Sequence, residues 1–247
     1  MTLRNPPRAV LLDLDETLID GAGLISSTSA VSAAFAVRHP ELELDPHTLA
    51  RANGAAWART WYEFEPLWIL GELDDLGLST IVWTRALADL GVAEPERFAA
   101  RVAHDHNVAL AAATRPFEDA LPALDALRTA GVLLGIVTNG SSSAQRAKVE
   151  ILGPERFAFV GISGEIGVAK PHSRLFEIAL AALELPASEV VHVGDNLVAD
   201  VAGAAGAGLP TVWINRTGSV RSVNASIPDA EITTLAQLPS MLGLNAV

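Results

Sequence analysis

The chain has no cysteine among its 247 residues, only two methionines and a single tyrosine. Without cysteine there is no disulfide, no thiolate zinc site and no cysteine nucleophile. Lysine is nearly as scarce: two residues, Lys148 and Lys170, against fifteen arginines. Basic residues are outnumbered, 17 against 29 acidic ones, for a formal net charge of −12. That balance disfavours nucleic acid or an anionic membrane as a partner. Nor does any segment reach the ~18 consecutive apolar residues of a transmembrane helix. Met1 to Pro7 is polar and carries two prolines, unlike the apolar core of a signal peptide. The expectation is a soluble, cytoplasmic protein. Half the residues are hydrophobic, enough for a large core and too many for extended disorder.

What is present is concentrated early. Ala9-Val10-Leu11-Leu12 is an uninterrupted aliphatic run that delivers Asp13 and Asp15, one residue apart, to the point where the chain turns. A run without alternation predicts a strand buried on both faces. Side chains at i and i+2 of an extended segment point the same way, so both carboxylates should emerge together at its carboxyl end. Open α/β sheets place their chemistry at that end. Two adjacent anions need a cation or a proton between them.

Beyond a loop containing Gly21 and Gly23, the stretch to about Ala113 reads as wholly helical. Ser26 or Ser27 can cap a first helix ending at Pro40, and Asp45 before Pro46 can cap a second. Ser79 can cap a third, ending at Gly91, and Glu94-Pro95 opens a fourth through Ala113. Strand and helix then alternate. Helices are expected at Phe117–Ala130, 144–152, Ser173–Leu183 and 198–207. Strands are expected at Val132–Thr138, Phe159–Ser163, Val190–Gly194, Thr211–Asn215 and 231–235. This pattern predicts an α/β fold, a Rossmann-like parallel-sheet core at 1–22 and 114–247 with an inserted all-helical cap at 23–113. The connections near Gly21–Gly23 and Thr114–Pro116 are natural hinges for a lid.

Four short segments complete a pattern. They are Asp13-Leu14-Asp15-Glu16-Thr17, Val137-Thr138-Asn139, Lys170-Pro171, and Gly194-Asp195 followed by Asp200. In this order and spacing they resemble the haloacid dehalogenase (HAD) superfamily of hydrolases over nearly the whole chain. A helical cap inserted after the first motif resembles the superfamily's first cap class. The stretch Gly206-Ala207-Gly208-Leu209-Pro210-Thr211-Val212-Trp213-Ile214-Asn215, with the longer Asp195-to-Asp200 spacing, is similar to N-acylneuraminate-9-phosphatases and pyrimidine 5′-nucleotidases. Phosphoglycolate phosphatases usually show a shorter spacing there.

The resemblance implies a Mg²⁺-dependent phosphatase acting on a small phosphate monoester, a sugar phosphate or a nucleoside monophosphate. Asp13 is the candidate nucleophile and Asp15 the candidate general acid. The dehalogenases of the superfamily lack this second Asp, because halide leaves without a proton. Thr138, Asn139 and Lys170 are candidate phosphate-binding residues, Asn139 either orienting the substrate or capping the helix after Gly140. Asp13, the main-chain carbonyl of Asp15 and Asp195 form an oxygen-rich set suited to Mg²⁺. Asp200 either supports those ligands from behind or is itself a further ligand, with Asn196 beside it. In a chain that writes arginine almost everywhere, lysine at 170 suggests a compact point charge. Lys148 reads as an ordinary surface lysine.

Other features read as structural. His104 and His106 do not share a helical face, and the glycines from Gly203 to Gly208 end a helix instead of opening one after a first strand. Trp57, Trp61, Phe64 and Trp68 recur at helical spacing and predict a core for the cap rather than a substrate platform, with one of them still a candidate to face the site. Arg51, Arg59 and Arg85 are cap cations able to meet an anionic substrate group. The rival readings are another HAD-type hydrolase, such as a phosphoglycolate phosphatase or a dehalogenase, and a non-catalytic binding protein of the same fold.

Overall fold

The aliphatic run Ala9–Leu12 forms strand β1, and all four residues are buried. The computed structural model describes residues 6–244, so most of the Met1–Pro7 segment lies outside the described residues. A short β2 (Ile19–Asp20) precedes four helices: α1 (Gly23–Arg38), α2 (Pro46–Ile69), α3 (Asp75–Asp89) and α4 (Glu96–Ala113). After β3 (Arg115–Pro116) come α5 (Ala120–Thr129), β4 (Leu133–Thr138), α6 (Ser142–Leu152), β5 (Phe159–Ile162), α7 (Ser163–Ile166) and α8 (Ser173–Leu183). Strand β6 (Val190–Gly194) is followed by a π-helical segment, Leu197–Ala202, that continues into α9 (Gly203–Gly206). The last strands are β7 (Thr211–Ile214) and β8 (Ala230–Ile232). Among the described residues no helix is long and apolar enough to cross a membrane.

The chain divides into two compact units. One holds β1 and everything from Pro116 onward; the other is Gly21–Arg115. In the first, six strands form one parallel sheet in the order β5-β4-β1-β6-β7-β8. Alternate residues of β1 serve opposite faces. Val10 and Leu12 join Leu124, Leu134 and Val193 on one side, while Ala9 and Leu11 join Phe176, Ala179 and Val190 on the other. Burial on both faces is what makes the strand sequence uniformly apolar. From β1 the chain winds outward to β4 and β5, then crosses back to β6, which pairs with the other side of β1. The order therefore reverses between β1 and β6, and a crevice opens at their carboxyl ends.

The helical unit has its own core of Val31, Phe35, Leu49, Trp83, Leu87, Ala99, Val102 and Ala103. Several expectations need correction here. Helix α1 starts at Gly23, so Ser26 and Ser27 lie in its first turns and their hydroxyls bond back to the carbonyls of Gly23 and Leu24 at 3.1 and 3.0 Å. The α3 cap is Asp74, which accepts from the Gly77 amide at 2.7 Å, and Ser79 is buried inside the helix. Asp45 does cap α2, accepting from the Thr48 amide at 2.7 Å.

Of the aromatic row of α2, Trp57 packs against a small core cluster of Ala56, Val82 and Ala86, and none of the row lies in the main core of this unit. The buried face of α2 carries Leu49, Asn53, Ala56 and Thr60. Trp57, Trp61 and Trp68 flank that face half-buried; Trp57 stacks on Trp61 with ring centroids 5.5 Å apart, and Trp68 lies tilted against Trp61 at 5.4 Å. The aromatic at the centre is Trp83, fully buried, whose indole N–H donates to His106 Nδ1 at 3.1 Å. His106 Nε2 meets the Thr28 hydroxyl at 3.1 Å, while His104 is exposed, so the two histidines do not converge.

Candidate active site

Asp13 follows directly on β1, and its amide bonds the Val193 carbonyl of β6 at 3.0 Å. Asp195 follows directly on β6, and the Trp213 indole of β7 fixes its carbonyl at 2.7 Å. Two neighbouring strands thus deliver their carboxylates across the crevice. Asp200 completes the group. The carboxyl oxygens of Asp13, Asp195 and Asp200 lie within 4.8 Å of one another.

Asp200 reaches the group because the turn after β6 is π-helical, a common device at functional sites. The Val201 amide bonds the Asn196 carbonyl five residues back at 3.2 Å. This widened turn brings Asp200 back under the strand end, where the Asn196 amide donates to its Oδ2 at 2.9 Å. Asn196 itself is the cap, its Oδ1 accepting from the amides of Val198 and Ala199 at 2.9 and 3.0 Å. The Asp200 carboxylate leaves no space at Gly194, where a Cβ would lie 2.6 Å from Asp200 Cβ.

Lys170 Nζ donates to Asp13 Oδ1 and to Asp200 Oδ1, both at 2.6 Å, and its side chain is 2% exposed. His192, buried in β6, meets the same Asp200 oxygen through Nε2 at 3.0 Å. Asn139 splints the lysine: its Nδ2 donates to the Lys170 carbonyl at 2.9 Å and its Oδ1 accepts from the Lys170 amide at 2.8 Å. It does not cap the following helix. Ser141 caps α6 instead, accepting from the Ala144 amide at 3.3 Å.

The charges are unevenly settled. Burial pushes the Asp13 carboxyl up to about 7, with Lys170 opposing the shift. Burial and the neighbouring Asp200 push Asp195 up to about 7 as well. Asp200 is buried too, yet Lys170 and His192 hold it well below the usual carboxylate range. Burial alone would lower the Lys170 ammonium, but Asp13 and Asp200 prevail and hold it above its ordinary value. Burial keeps His192 neutral by lowering its pKa. One ammonium therefore faces three carboxylates, two of them raised toward neutrality by burial. Such an all-oxygen set, short of positive charge, fits a hard divalent cation.

Asp15 points elsewhere. Lys148 Nζ, on α6, meets both of its carboxylate oxygens at 2.7 and 2.9 Å. Gln145 Nε2 meets Oδ2 at 2.9 Å, and also Thr138 Oγ1 and the Asn139 carbonyl, both at 2.8 Å. The expectation of an ordinary surface lysine at 148 is therefore wrong: its side chain is 19% exposed and belongs to the site. Positions 145 and 148 share a helical face, and that face turns toward the loop after β1. The scarcity of lysine, the signal that singled out Lys170, applied equally to Lys148. Nothing in the sequence marked Gln145 or His192.

The haloacid dehalogenase-like hydrolase family matches residues 7–208. Glyceraldehyde 3-phosphate phosphatase of Methanopyrus kandleri is 39% identical over 144 residues, which cover 56% of this chain and 61% of that enzyme. The chain spans less than two thirds of the length of such curated relatives. A 2-haloacid dehalogenase from Pseudomonas syringae has a similar structure, with a TM-score of 0.68 at 29% identity, covering 96% of this chain and 98% of that one. A HAD phosphatase from Thermococcus onnurineus gives 0.63 at 29% identity, with coverages of 97% and 100%. With four fifths of its length inside the family match and the acidic crevice at the expected strand ends, the chain belongs to the haloacid dehalogenase-like hydrolases.

Proposed function

We propose that this chain is a Mg²⁺-dependent phosphomonoesterase that works through an aspartyl-phosphate on Asp13. The observation that carries the reading is the convergence of Asp13, Asp195 and Asp200 around Lys170, with Asp15 on the same loop as Asp13. Asp13, Asp195 and Asp200, with the main-chain carbonyl of Asp15, are the groups that would hold the cation. When bound, Mg²⁺ supplies charge neutralisation for the phosphoryl oxygens.

The protein's own groups divide the remaining work. An Asp13 carboxylate oxygen attacks phosphorus, the ester P–O bond breaks, and the leaving oxygen takes a proton from Asp15. Asp15 then accepts a proton from water as that water attacks phosphorus, releasing inorganic phosphate and restoring Asp13. Lys170 neutralises Asp13 and a phosphoryl oxygen together. The Thr138 hydroxyl accepts from Gln145 at 2.8 Å, and its own hydrogen, directed at the Asn139 carbonyl over a long 3.5 Å, would turn to an equatorial oxygen. Phosphoryl transfer needs little beyond such positioning and charge.

Asp15 favours phosphate over halide chemistry, since only an ester leaving group needs the proton it would give. The enzymes named above include both kinds. The residues from 23 to 113 are assigned the choice of substrate, because the core residues address only the phosphoryl group common to all phosphate esters. The test is a panel of sugar phosphates, nucleoside monophosphates, phosphoglycolate and p-nitrophenyl phosphate, with 2-chloropropionate alongside, in Mg²⁺. Release of phosphate from at least one ester supports the reading. Halide release without phosphate release overturns it.

A further inference from the structure

We infer that Lys148, acting with Gln145, is a positioning residue that holds the Asp15 carboxyl beside the Thr138 hydroxyl, where it can meet the leaving-group oxygen. The inference rests on the reading of Asp15 as the proton donor and adds to it the group that fixes its place.

Three observations support it. Lys148 Nζ has three acceptors, both Asp15 oxygens at 2.7 and 2.9 Å and Gln145 Oε1 at 2.7 Å. An ammonium has three donors radiating from one point, and all three are matched here. A planar guanidinium fork is not built to converge on three such oxygens, which accounts for lysine in a chain that uses arginine fifteen times.

Gln145 is fully buried, and its amide nitrogen is shared among Asp15, Thr138 and the Asn139 carbonyl. The proposed acid and the proposed phosphate-binding hydroxyl are thereby tied to one side chain. Stability is a poor rival explanation. The Asp15 side chain is 45% exposed, and a partly exposed ion pair contributes little to stability. Ordering a lysine side chain costs rotamer entropy that offsets such a gain. A pair that gains so little stability for that cost is better explained by where it places the carboxyl.

The leaving group supplies a readout that a purely structural role would not move. p-Nitrophenolate spreads its charge into the nitro group and leaves without a proton, whereas phenolate, as basic as tyrosine's at about 10, gains from one. The experiment compares kcat/KM for phenyl phosphate and p-nitrophenyl phosphate in wild type, Lys148→Met and Lys148→Cys. Because the chain has no cysteine of its own, 2-bromoethylamine converts the introduced thiol selectively into a lysine analogue: the thiolate displaces bromide and leaves a thioether bearing an ammonium.

Both variants should lower the phenyl to p-nitrophenyl ratio by at least about tenfold. Aminoethylation of Lys148→Cys should bring it back to within about threefold of wild type. An unchanged ratio, equal losses on both esters, or a fall that aminoethylation does not reverse would each overturn the inference. If Lys148→Met does not fold, the Lys148→Cys variant before and after aminoethylation still decides. Failure of the underlying reading looks different: wild-type protein that hydrolyses neither ester removes the phosphatase assignment, and this inference with it.

Discussion

Lys170 Nζ lies 2.6 Å from Asp13 Oδ1, with the lysine side chain 2% and the aspartate side chain 10% exposed. An asparagine at 13 keeps an oxygen for that bond but is a far poorer nucleophile. Asp13→Asn should therefore fold and lose at least about a thousandfold in turnover. Steady-state kinetics with a thermal melt checks both parts. Activity within a few fold of wild type would exclude the covalent mechanism.

If Asp13 and Asp195, both raised to about 7, hold the proposed cation, its binding should depend on pH. Their folded values lie above the ordinary carboxylate range. In the metal-free protein their contribution to stability is therefore complete at about pH 4 and is lost as pH rises through 7. A cation must displace any proton they carry, so its affinity should rise with pH up to about 7 and then level off. The gain in melting temperature on adding Mg²⁺ should be larger at pH 8 than at pH 5.5. A pH-independent gain contradicts the assignment of these two carboxylates as ligands. Turnover should stop in excess chelator and return with Mg²⁺.

Gly194→Ala places a methyl group where the Asp200 carboxyl lies. Overpacking of this kind costs about 1–3 kcal/mol. Because Asp200 also anchors Lys170 and His192, turnover should fall by more than about tenfold. Unfolding curves and kcat report the two effects; a variant with normal kcat would show that Asp200 need not lie where it does.

The half-buried row of Trp57, Trp61 and Trp68 is the natural place to test whether residues 23–113 choose the substrate. Arg51 is less informative, being bonded to Thr48, and so is Arg85, which pairs with Glu63 and bonds Thr60. Trp61→Ala should change the relative kcat/KM of two phosphate esters by about tenfold while leaving p-nitrophenyl phosphate less affected. Deleting the helical unit and bridging its ends should flatten the ranking. An unchanged ranking in a folded deletion variant would end the assignment.

Asp119 gives an acid-stability signature away from the carboxylate triad. It accepts two bonds from Arg216, both at 3.0 Å, and others from Thr234 and Leu235, while Arg216 also reaches the Thr17 carbonyl at 2.7 Å. Burial tends to raise the Asp119 pKa, but these bonds prevail and lower it. A depressed carboxyl contributes stability above its unfolded pKa of about 4 and loses it as pH falls through the lower folded value. Asp119→Asn should thus melt below wild type at pH 7, with the gap closing on acidification below about pH 4. A gap independent of pH would assign the loss to packing.

Much of this was legible because it is local. The run Ala9–Leu12 is apolar throughout, and 133–138 and Val190–Gly194 are mostly so, because both faces of a parallel sheet are covered, and the register of the sheet places Asp13 and Asp195 at adjacent strand ends. Asp45-Pro46 marked the start of α2 for the equally local reason that a cap acts within one turn. Helix starts at Ser26, Ser27 and Ser79 were misplaced because a serine near a helix start can cap it or bond back within it, and neighbouring Asp74 was the better acceptor.

What the sequence by itself determined is the ladder of apolar strands, the acids at their ends and the separate helical stretch, since these follow from periodicity and the chemistry of adjacent residues. Only the tertiary structure decided the partners. Lys148 is 133 residues from Asp15, Lys170 is 157 from Asp13, and Arg216 is 199 from Thr17. Whether a charged side chain ends in water or against an opposite charge depends on which helix face the sheet brings alongside it. That same packing separated two carboxylates only one residue apart, giving Asp13 to Lys170 and Asp15 to Lys148. The chain leaves β1 at Leu12, so the shared direction that an extended segment would impose on i and i+2 no longer holds beyond that point.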